Sequence, residues 1–415
     1  MRRYPSNGRA SALALSATTA LALAVPFAPV AASSPNGTET AATTSRPGPS
    51  VPVLEWTDCG APLECATAVV PRDYDRPSAG TFQLALIRHR APDQANRIGT
   101  LFMNPGGPGM SGIEFIRTAP PGALGLFERF DVVSWDPRGV GASTPALDCT
   151  TDAEDMAFTN FEFVRPETAD RQQLTRGARD FGRRCEQRNP DVLPHLSTAN
   201  TARDLDQLRQ AVGDEKLTYI GISYGTHVGA TYSSLFPDKV RAMVADSPID
   251  LDAWVNRPRE MQRERIASFE NSLGRFFTAC VAAGDRCGFG GDDPQEAFDA
   301  LVERLNAAPL AAPAAASKTP VNGDDLLWYA AEAMYSKGRW PELAAGLIQA
   351  EAGDGSLLRD LVDAHSGRAP DGSRPPSGVL LATTAQDWQY DRRPQSYLDE
   401  GYHAAAYSPH FFPIS

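Results

Sequence analysis

Histidine is scarce in this chain, with six in 415 residues, and cysteine is no more frequent. No C-x-x-C, no H-E-x-x-H and no His/Cys cluster occurs, so neither a metal nor a cofactor is expected. Beyond the N-terminus no apolar run is long enough to span a bilayer. An excess of positive charge is also missing: the formal net charge is −12. That balance argues against nucleic acid and against anionic membrane as partners.

What is present begins with an export pattern. Arg2, Arg3 and Arg9 form a basic stretch, Ala10 to Ala24 an apolar one, and Val30-Ala31-Ala32 a small-residue cleavage site. Residues 1–32 therefore read as a signal peptide, and its three arginines, once removed, leave a net charge of −15. Arg2-Arg3 also invites a twin-arginine reading, but Tyr-Pro follows, and ordinary secretion is the better expectation. In an exported chain the six cysteines read as disulfides at short spacing: Cys59 with Cys65, Cys149 with Cys185, Cys280 with Cys287. Sequence alone does not fix that connectivity.

Residues 33–52 are small, polar and Pro-rich, a disordered leader by composition. Strands are expected at Ala66–Pro71, Thr81–His89, Arg97–Met103, Phe130–Trp135, Leu217–Ile222 and Val240–Ala245, with helices at Thr168–Arg188 and Thr201–Val212, the latter capped by Asn200. This alternation predicts an α/β fold with a mainly parallel sheet covered on both faces. From about residue 251 to 375 helices follow one another without strands. Asp293-Pro-Gln-Glu296 opens one, and Phe298, Leu301, Val302 and Leu305 line its apolar face. Val379–Thr384 reads as a short strand returning to the sheet.

The chemistry centres on Leu217-Thr-Tyr-Ile-Gly-Ile-Ser-Tyr-Gly-Thr226, where an apolar run meets G-x-S-x-G and a helical pattern follows. The bare pentapeptide is common; a strand before it and a helix after it make it a nucleophile elbow. Ser223 is then the candidate nucleophile, and the Tyr224 amide one donor to an oxyanion. A second donor is expected from Pro105-Gly-Gly-Pro-Gly109, with Gly107 ahead of Gly106, because glycine admits a substrate carbonyl close to the backbone. Gly107-Pro-Gly-Met-Ser-Gly112 is also a literal G-x-G-x-x-G, and Asp136 ends the next strand where a ribose-binding acid would stand. That dinucleotide-binding reading leaves the elbow unexplained and does not suit export. Asp136 and Arg138 are expected to form a structural ion pair or turn.

Asn104-Pro-Gly-Gly-Pro-Gly, Asp136-Pro-Arg-Gly-Val-Gly-Ala-Ser, Gly221-Ile-Ser-Tyr-Gly-Thr and Ala245-Asp-Ser-Pro-Ile-Asp250, in that order, resemble the secreted tripeptidyl aminopeptidases, relatives of the prolyl aminopeptidases within the α/β-hydrolase fold. The resemblance runs from about Trp56 to Trp388. It implies a serine exopeptidase acting on peptides with free N-termini, with acids in a helical lid binding the substrate amine; Asp250 and Asp252 lie near the right place. An esterase or lipase of the same fold is the alternative, and a non-catalytic binding remnant a third reading. The organisation implied is an α/β-hydrolase core over 53–250, a helical lid over 251–375 inserted after the sixth strand, and a partial return to the core over 376–415.

In such a fold the triad acid and base follow the serine, and here neither is recognisable. His227 lies one helical turn past Ser223, too close to reach its hydroxyl, and reads as a packed residue. His365 belongs to the lid; His403, His410, Asp387, Asp391 and Asp399 fit no triad pattern. The family's late acid and histidine motifs do not occur, so the last strands are expected to be missing, as in a truncated chain. Loss of the histidine costs about 10⁶-fold in kcat, so this chain as written is expected to be nearly inert. Val240–Ala245 is expected to present an unpaired edge and a bare apolar face. No oligomeric state is implied.

Overall fold

The computed structural model describes residues 49–119, 123, 127–151, 171–371, 373, 378–391 and 393–412. The expected signal peptide and most of the expected leader lie outside these residues, as does the start of the helix expected at Thr168. Seven strands form one sheet: β1 (Thr57–Asp58), β2 (Leu63–Pro71), β3 (Thr81–His89), β4 (Gly99–Asn104), β5 (Phe130–Trp135), β6 (Leu217–Ile222) and β7 (Val240–Asp246), in the spatial order β1-β2-β3-β5-β4-β6-β7. The sheet is mixed rather than mainly parallel. β1, β2, β3 and β5 pair antiparallel, while β5-β4-β6-β7 is parallel. The reason is local: β2 and β3 are joined by a turn-rich connection with no crossover helix, so they fold back as a hairpin.

Every residue of β4 is buried, as a central strand covered on both faces requires. Leu101, Met103 and Val132 face α1 (Gly112–Arg117) through Ile113 and Ile116. Phe82, Leu84, Phe102, Val133 and Trp135 form the opposite face. The helices α2 (Arg171–Arg188), α3 (Thr198–Ala211) and α4 (Tyr224–Leu235) complete the order between β5 and β7, and Leu205, Leu208, Val228 and Tyr232 join that second core. α3 starts one turn before the expected position. Its cap is Ser197, not Asn200: the Ser197 hydroxyl accepts from the Asn200 amide, and Thr198, Thr201, Ala202 and Leu205 continue the buried stripe inward.

β7 is followed by helices alone among the described residues: α5 (Leu251–Asn256), α6 (Pro258–Ala283), α7 (Pro294–Ala307), α8 (Gly323–Ala333), α9 (Trp340–Glu351), α10 (Ser356–Ser366), α11 (Val379–Asp387) and α12 (Pro394–Ala404). Phe276, Phe298, Leu326, Leu347 and Leu358 share one apolar cluster in this helical lid region, joined by Ala404 and Phe411. As expected, Asp293 caps α7, accepting from the Glu296 amide at 3.0 Å. α11 stands where a strand was expected. Val379, Ala382, Thr383 and Thr384 are its buried positions. Val379 with Ala382 and Thr383 shows the three- and four-residue spacing of a helix, and the run Ala382–Thr384 is not the alternation of a strand. Val379, Ala382 and Trp388 pack into the sheet core.

All six cysteines are paired as their spacing suggested: Cys59–Cys65, Cys149–Cys185 and Cys280–Cys287. β7 is an edge strand, bonded on one side to β6, and Val244 is 54% exposed. No described helix is long and apolar enough to cross a membrane.

Candidate active site

β4 and β6 are parallel neighbours, with Asn104 in register with Gly221. The chain segments that leave their carboxyl ends therefore emerge side by side, at the point where connections depart to opposite sides of the sheet. From β4 comes Pro105-Gly-Gly-Pro-Gly109, and from β6 the elbow.

Ser223 sits at the β6–α4 junction with φ 54° and ψ −123°. A non-glycine residue in that region is strained, and the surroundings must hold it there. Several contacts do so. The Ser223 amide donates to Asp246 O at the end of β7 (3.0 Å), and Thr226 donates to Ser223 O through both its amide (2.9 Å) and its hydroxyl (2.7 Å). The buried Tyr219 hydroxyl donates to Gly225 O at 2.8 Å, tying the strand to the first turn of α4. Side chains are excluded on either side of Ser223. A Cβ on Gly221 would stand 2.3 Å from Gly225 O, and one on Gly225 2.4 Å from Asn104 O. Ser223 itself is exposed.

The glycine loop lies against this turn. Gly106 (φ 98°) and Gly107 (φ 107°) occupy backbone conformations that suit glycine, and a Cβ on Gly106 would stand 2.9 Å from the Tyr224 amide nitrogen. The Gly106 amide is committed to Asn104 Oδ1 at 3.0 Å. Among the described residues the amides of Gly107 and Tyr224 donate to no protein acceptor. Two unengaged amides on adjoining segments beside an exposed serine are the layout an oxyanion requires.

Beneath the elbow lies a polar cluster that sequence reasoning did not assemble. The Tyr224 hydroxyl bonds Thr198 Oγ1, and Thr198 Oγ1 donates to Asp387 Oδ2 at 2.5 Å. Asp387 Oδ1 accepts from the Thr198 amide at 3.1 Å, in the first turn of α3. Burial raises the Tyr224 pKa well above the ordinary 10, and the nearby Asp387 charge adds to this, opposed by the hydrogen bond shared with Thr198. The phenol is therefore a donor at any physiological pH. His227 Nε2 is 3.9 Å from Asp387 Oδ2, and the ring packs on Tyr224 and Trp254. Burial pushes the His227 pKa below 6.5, with Asp387 opposing. As expected, His227 is a packed helix residue. Nothing in the spacing pointed to Asp387, whose partner Thr198 lies 189 residues away.

The other expected residues disperse. His365 lies 3.5 Å from Glu332 in the lid region, His403 bonds Asp399 O within α12, and His410 is held by Glu270 and Asp299. Asp391 pairs with Arg393. Among the described residues no histidine is hydrogen-bonded to Ser223. Asp250 caps α5, and Asp252 bonds Asn256 (2.8 Å) and Arg257 (3.0 Å). Asp136 and Arg138 are both structural; of the ion pair or turn expected, the segment forms the turn, with the Val140 amide donating to Pro137 O at 2.9 Å, and the two side chains do not pair with each other. Asp136 accepts from Ser111 Oγ and from the amides of Ile113 and Ala142, while Arg138 pairs with Asp204. Asp136 is buried and its carboxylate is engaged inside the protein, out of reach of a ribose. Among the described residues no group of three or more His, Cys, Asp or Glu side chains is arranged to hold a metal ion.

Comparison with known proteins bears on the fold and its relatives. Residues 99–295 match the family model described as alpha/beta hydrolase fold. The chain is 35% identical over 353 residues to serine protease Hip1 of Mycobacterium tuberculosis, covering 78% of this chain and 65% of that protein. It is 34% identical over 326 residues to the tripeptidyl aminopeptidase of Streptomyces lividans (74% of this chain, 58% of the relative). A third relative, carboxylesterase B of Mycobacterium tuberculosis, is 34% identical over 357 residues (80% and 66%). The chain thus spans about three-fifths to two-thirds of the length of these relatives.

Proposed function

We propose that this chain, a serine hydrolase of the alpha/beta-hydrolase superfamily, takes up the acyl group of carboxylic esters on Ser223, with the amides of Tyr224 and Gly107 holding the oxyanion. The observation that carries the proposal is the exposed Ser223, held at φ 54° between a buried strand and a helix and flanked by the glycine loop. Attack by Ser223 Oγ on the ester carbonyl, with the hydroxyl proton passing to solvent at this exposed position, forms the Oγ–C bond and moves charge onto the carbonyl oxygen, where the two amides stabilise it. Collapse expels the alkoxide or phenolate.

Esters come first for a chemical reason. A phenolate leaves without being protonated, whereas an amine must receive a proton first, which calls for a positioned acid. No histidine stands against Ser223 among the described residues, so an activated ester is the substrate this geometry serves best. A relative named carboxylesterase accords with that.

Removal of short peptides from free N-termini is the second reading. It is favoured by the relatives named serine protease and tripeptidyl aminopeptidase and by four motifs that occur in that family's order. Under either reading we take residues 1–32 as an export signal and 251–375 as the lid; three disulfides accord with an oxidising compartment.

The test is a panel of p-nitrophenyl esters and tripeptidyl anilides offered to the chain, read as pre-steady-state release of the chromophore. With no histidine against Ser223 among the described residues, the proposal expects slow, stoichiometric release from activated esters that vanishes in Ser223→Ala. Amide turnover at a comparable rate would favour the peptidase reading. Release that survives Ser223→Ala would refute both.

A further inference from the structure

The cluster beneath the elbow has no place in acyl transfer as described, yet it is built around the residue that follows the nucleophile. Tyr224 is 5% exposed and Thr198 1%, while the Asp387 side chain is 8% exposed. Two hydroxyls in series end on a carboxylate: Tyr224 Oη donates to Thr198 Oγ1, and Thr198 Oγ1 to Asp387 Oδ2. Each hydroxyl has one proton to give, so the carboxylate terminus fixes the direction of the whole chain. The tyrosine ring is further confined by His227 and Trp254, with centroids 5.9 Å and 5.8 Å away.

Asp387 ends α11, and the other end of α11 meets the glycine loop. A Cβ on Gly109 would stand 3.4 Å from Val379 Cβ. The helix is itself immobilised at both ends and along its side. Gly378 (φ 107°) abuts Cys149 of the Cys149–Cys185 disulfide, Gln386 Nε2 donates to Leu193 O at 2.8 Å, and Trp388 packs edge-on against Trp254. One short helix therefore touches both segments that carry the unengaged amides: Val379 at the Gly107–Gly109 side, and Asp387, through Thr198, at Tyr224.

We propose that Asp387 is a positioning residue which, through Thr198 and Tyr224, sets the Tyr224 amide in register with the glycine loop, with α11 as the brace between them. The inference rests on the reading of Ser223 as the acylated nucleophile. Asp387 touches no substrate in this account; it acts on the geometry of the oxyanion site. A displacement on the order of 1 Å at such a site costs up to about 100-fold in rate, so loss of the tether appears in the acylation step rather than in substrate binding.

The experiment compares the parent chain with Tyr224→Phe, Asp387→Asn and the double variant. Saturating rate and KM are measured for single-turnover acylation by a p-nitrophenyl ester, with Tm recorded alongside. Tyr224→Phe keeps the ring and leaves Thr198 free to donate to Asp387, so it preserves the fold even if Asp387→Asn does not. The expected result is a fall of roughly 10- to 100-fold in the saturating rate with KM within about twofold. The double variant should be no slower than the worse single variant, because both act along one path. Parental rates in folded Tyr224→Phe, or losses that multiply in the double variant, overturn the inference and leave the proposed function intact. A parent chain that forms no acyl-enzyme refutes the proposed function, and the inference falls with it.

Discussion

Among the described residues Arg138 on the sheet side and Arg359 in the helical region are each 1% exposed, and the protein solvates their guanidinium groups in different ways. Arg138 is 1% exposed and its partner Asp204 0%. Nε and Nη2 form a bidentate pair with Asp204 at 2.7 Å and 2.6 Å, and the remaining donors reach Pro71 O, Arg72 O and His195 O. All five N–H groups are matched, and Asp204 also accepts from Tyr74 at 2.8 Å. Arg359 is as buried, but its Nη1 alone bonds Asp325 (3.0 Å) and, more distantly, Pro320 O. Its Nε approaches Asp363 to 2.9 Å without hydrogen-bond alignment, and Nη2 has no partner among the described residues. The sheet side is specified by directional polar contacts that join distant segments; the helical region is specified mainly by apolar helix faces. The candidate site, which depends on backbone placed to within a fraction of an ångström, lies in the first kind of environment.

That contrast predicts unequal losses. Arg138→Met strands the Asp204 carboxylate without a counter-charge and should destabilise by about 3–5 kcal/mol, read as a fall in the denaturation midpoint. Asp204→Leu added to it should restore most of the loss. Arg359→Met should cost less, roughly 2 kcal/mol, because two of its three nitrogens are poorly used and Asp363 keeps Ser317 and Arg368 as partners. Equal losses in the two variants would erase the distinction.

The smallest expected effect lies in the helical region and depends on pH. His410 Nδ1 meets Glu270 Oε1 of α6 at 2.5 Å, and Nε2 meets Asp299 Oδ1 of α7 at 2.6 Å, which is the geometry of a doubly protonated ring. Burial alone pulls the pKa down, but the bonds and charges of Glu270 and Asp299 outweigh it, so the folded value lies above the ordinary 6.5. The charged form therefore contributes stability fully below pH 6.5, and the contribution fades as pH rises through the folded value. Denaturation at a series of pH values should show this decline above 6.5 in the parent and a flatter profile in His410→Gln. Parallel profiles would exclude the clamp.

How much was legible follows the same division. Thr81–His89, Phe130–Trp135 and Leu217–Ile222 form strands at the expected residues, and the elbow lies where G-x-S-x-G placed it, because each signal is contained in a few consecutive residues. The apolar stripe of α7 was readable for the same reason. Contacts between distant segments were not. Arg138 stands two residues from Asp136, yet its partner is 66 residues away. Asp387 looked like one of several late acids until the fold brought it to Thr198. Val379–Thr384 is apolar and β-branched enough to pass for a strand, and periodicity cannot separate so short a run from a buried helix. Its helical state rests on packing against the loop at Gly109 and the disulfide at Cys149.

Ser223 is the side chain we propose this architecture prepares for acyl transfer. Reaction of the chain with a fluorophosphonate, followed by peptide mass spectrometry, tests it most directly. One adduct is expected, on the peptide containing Ser223, absent from Ser223→Ala. An adduct on another residue, or one retained in that variant, would contradict it.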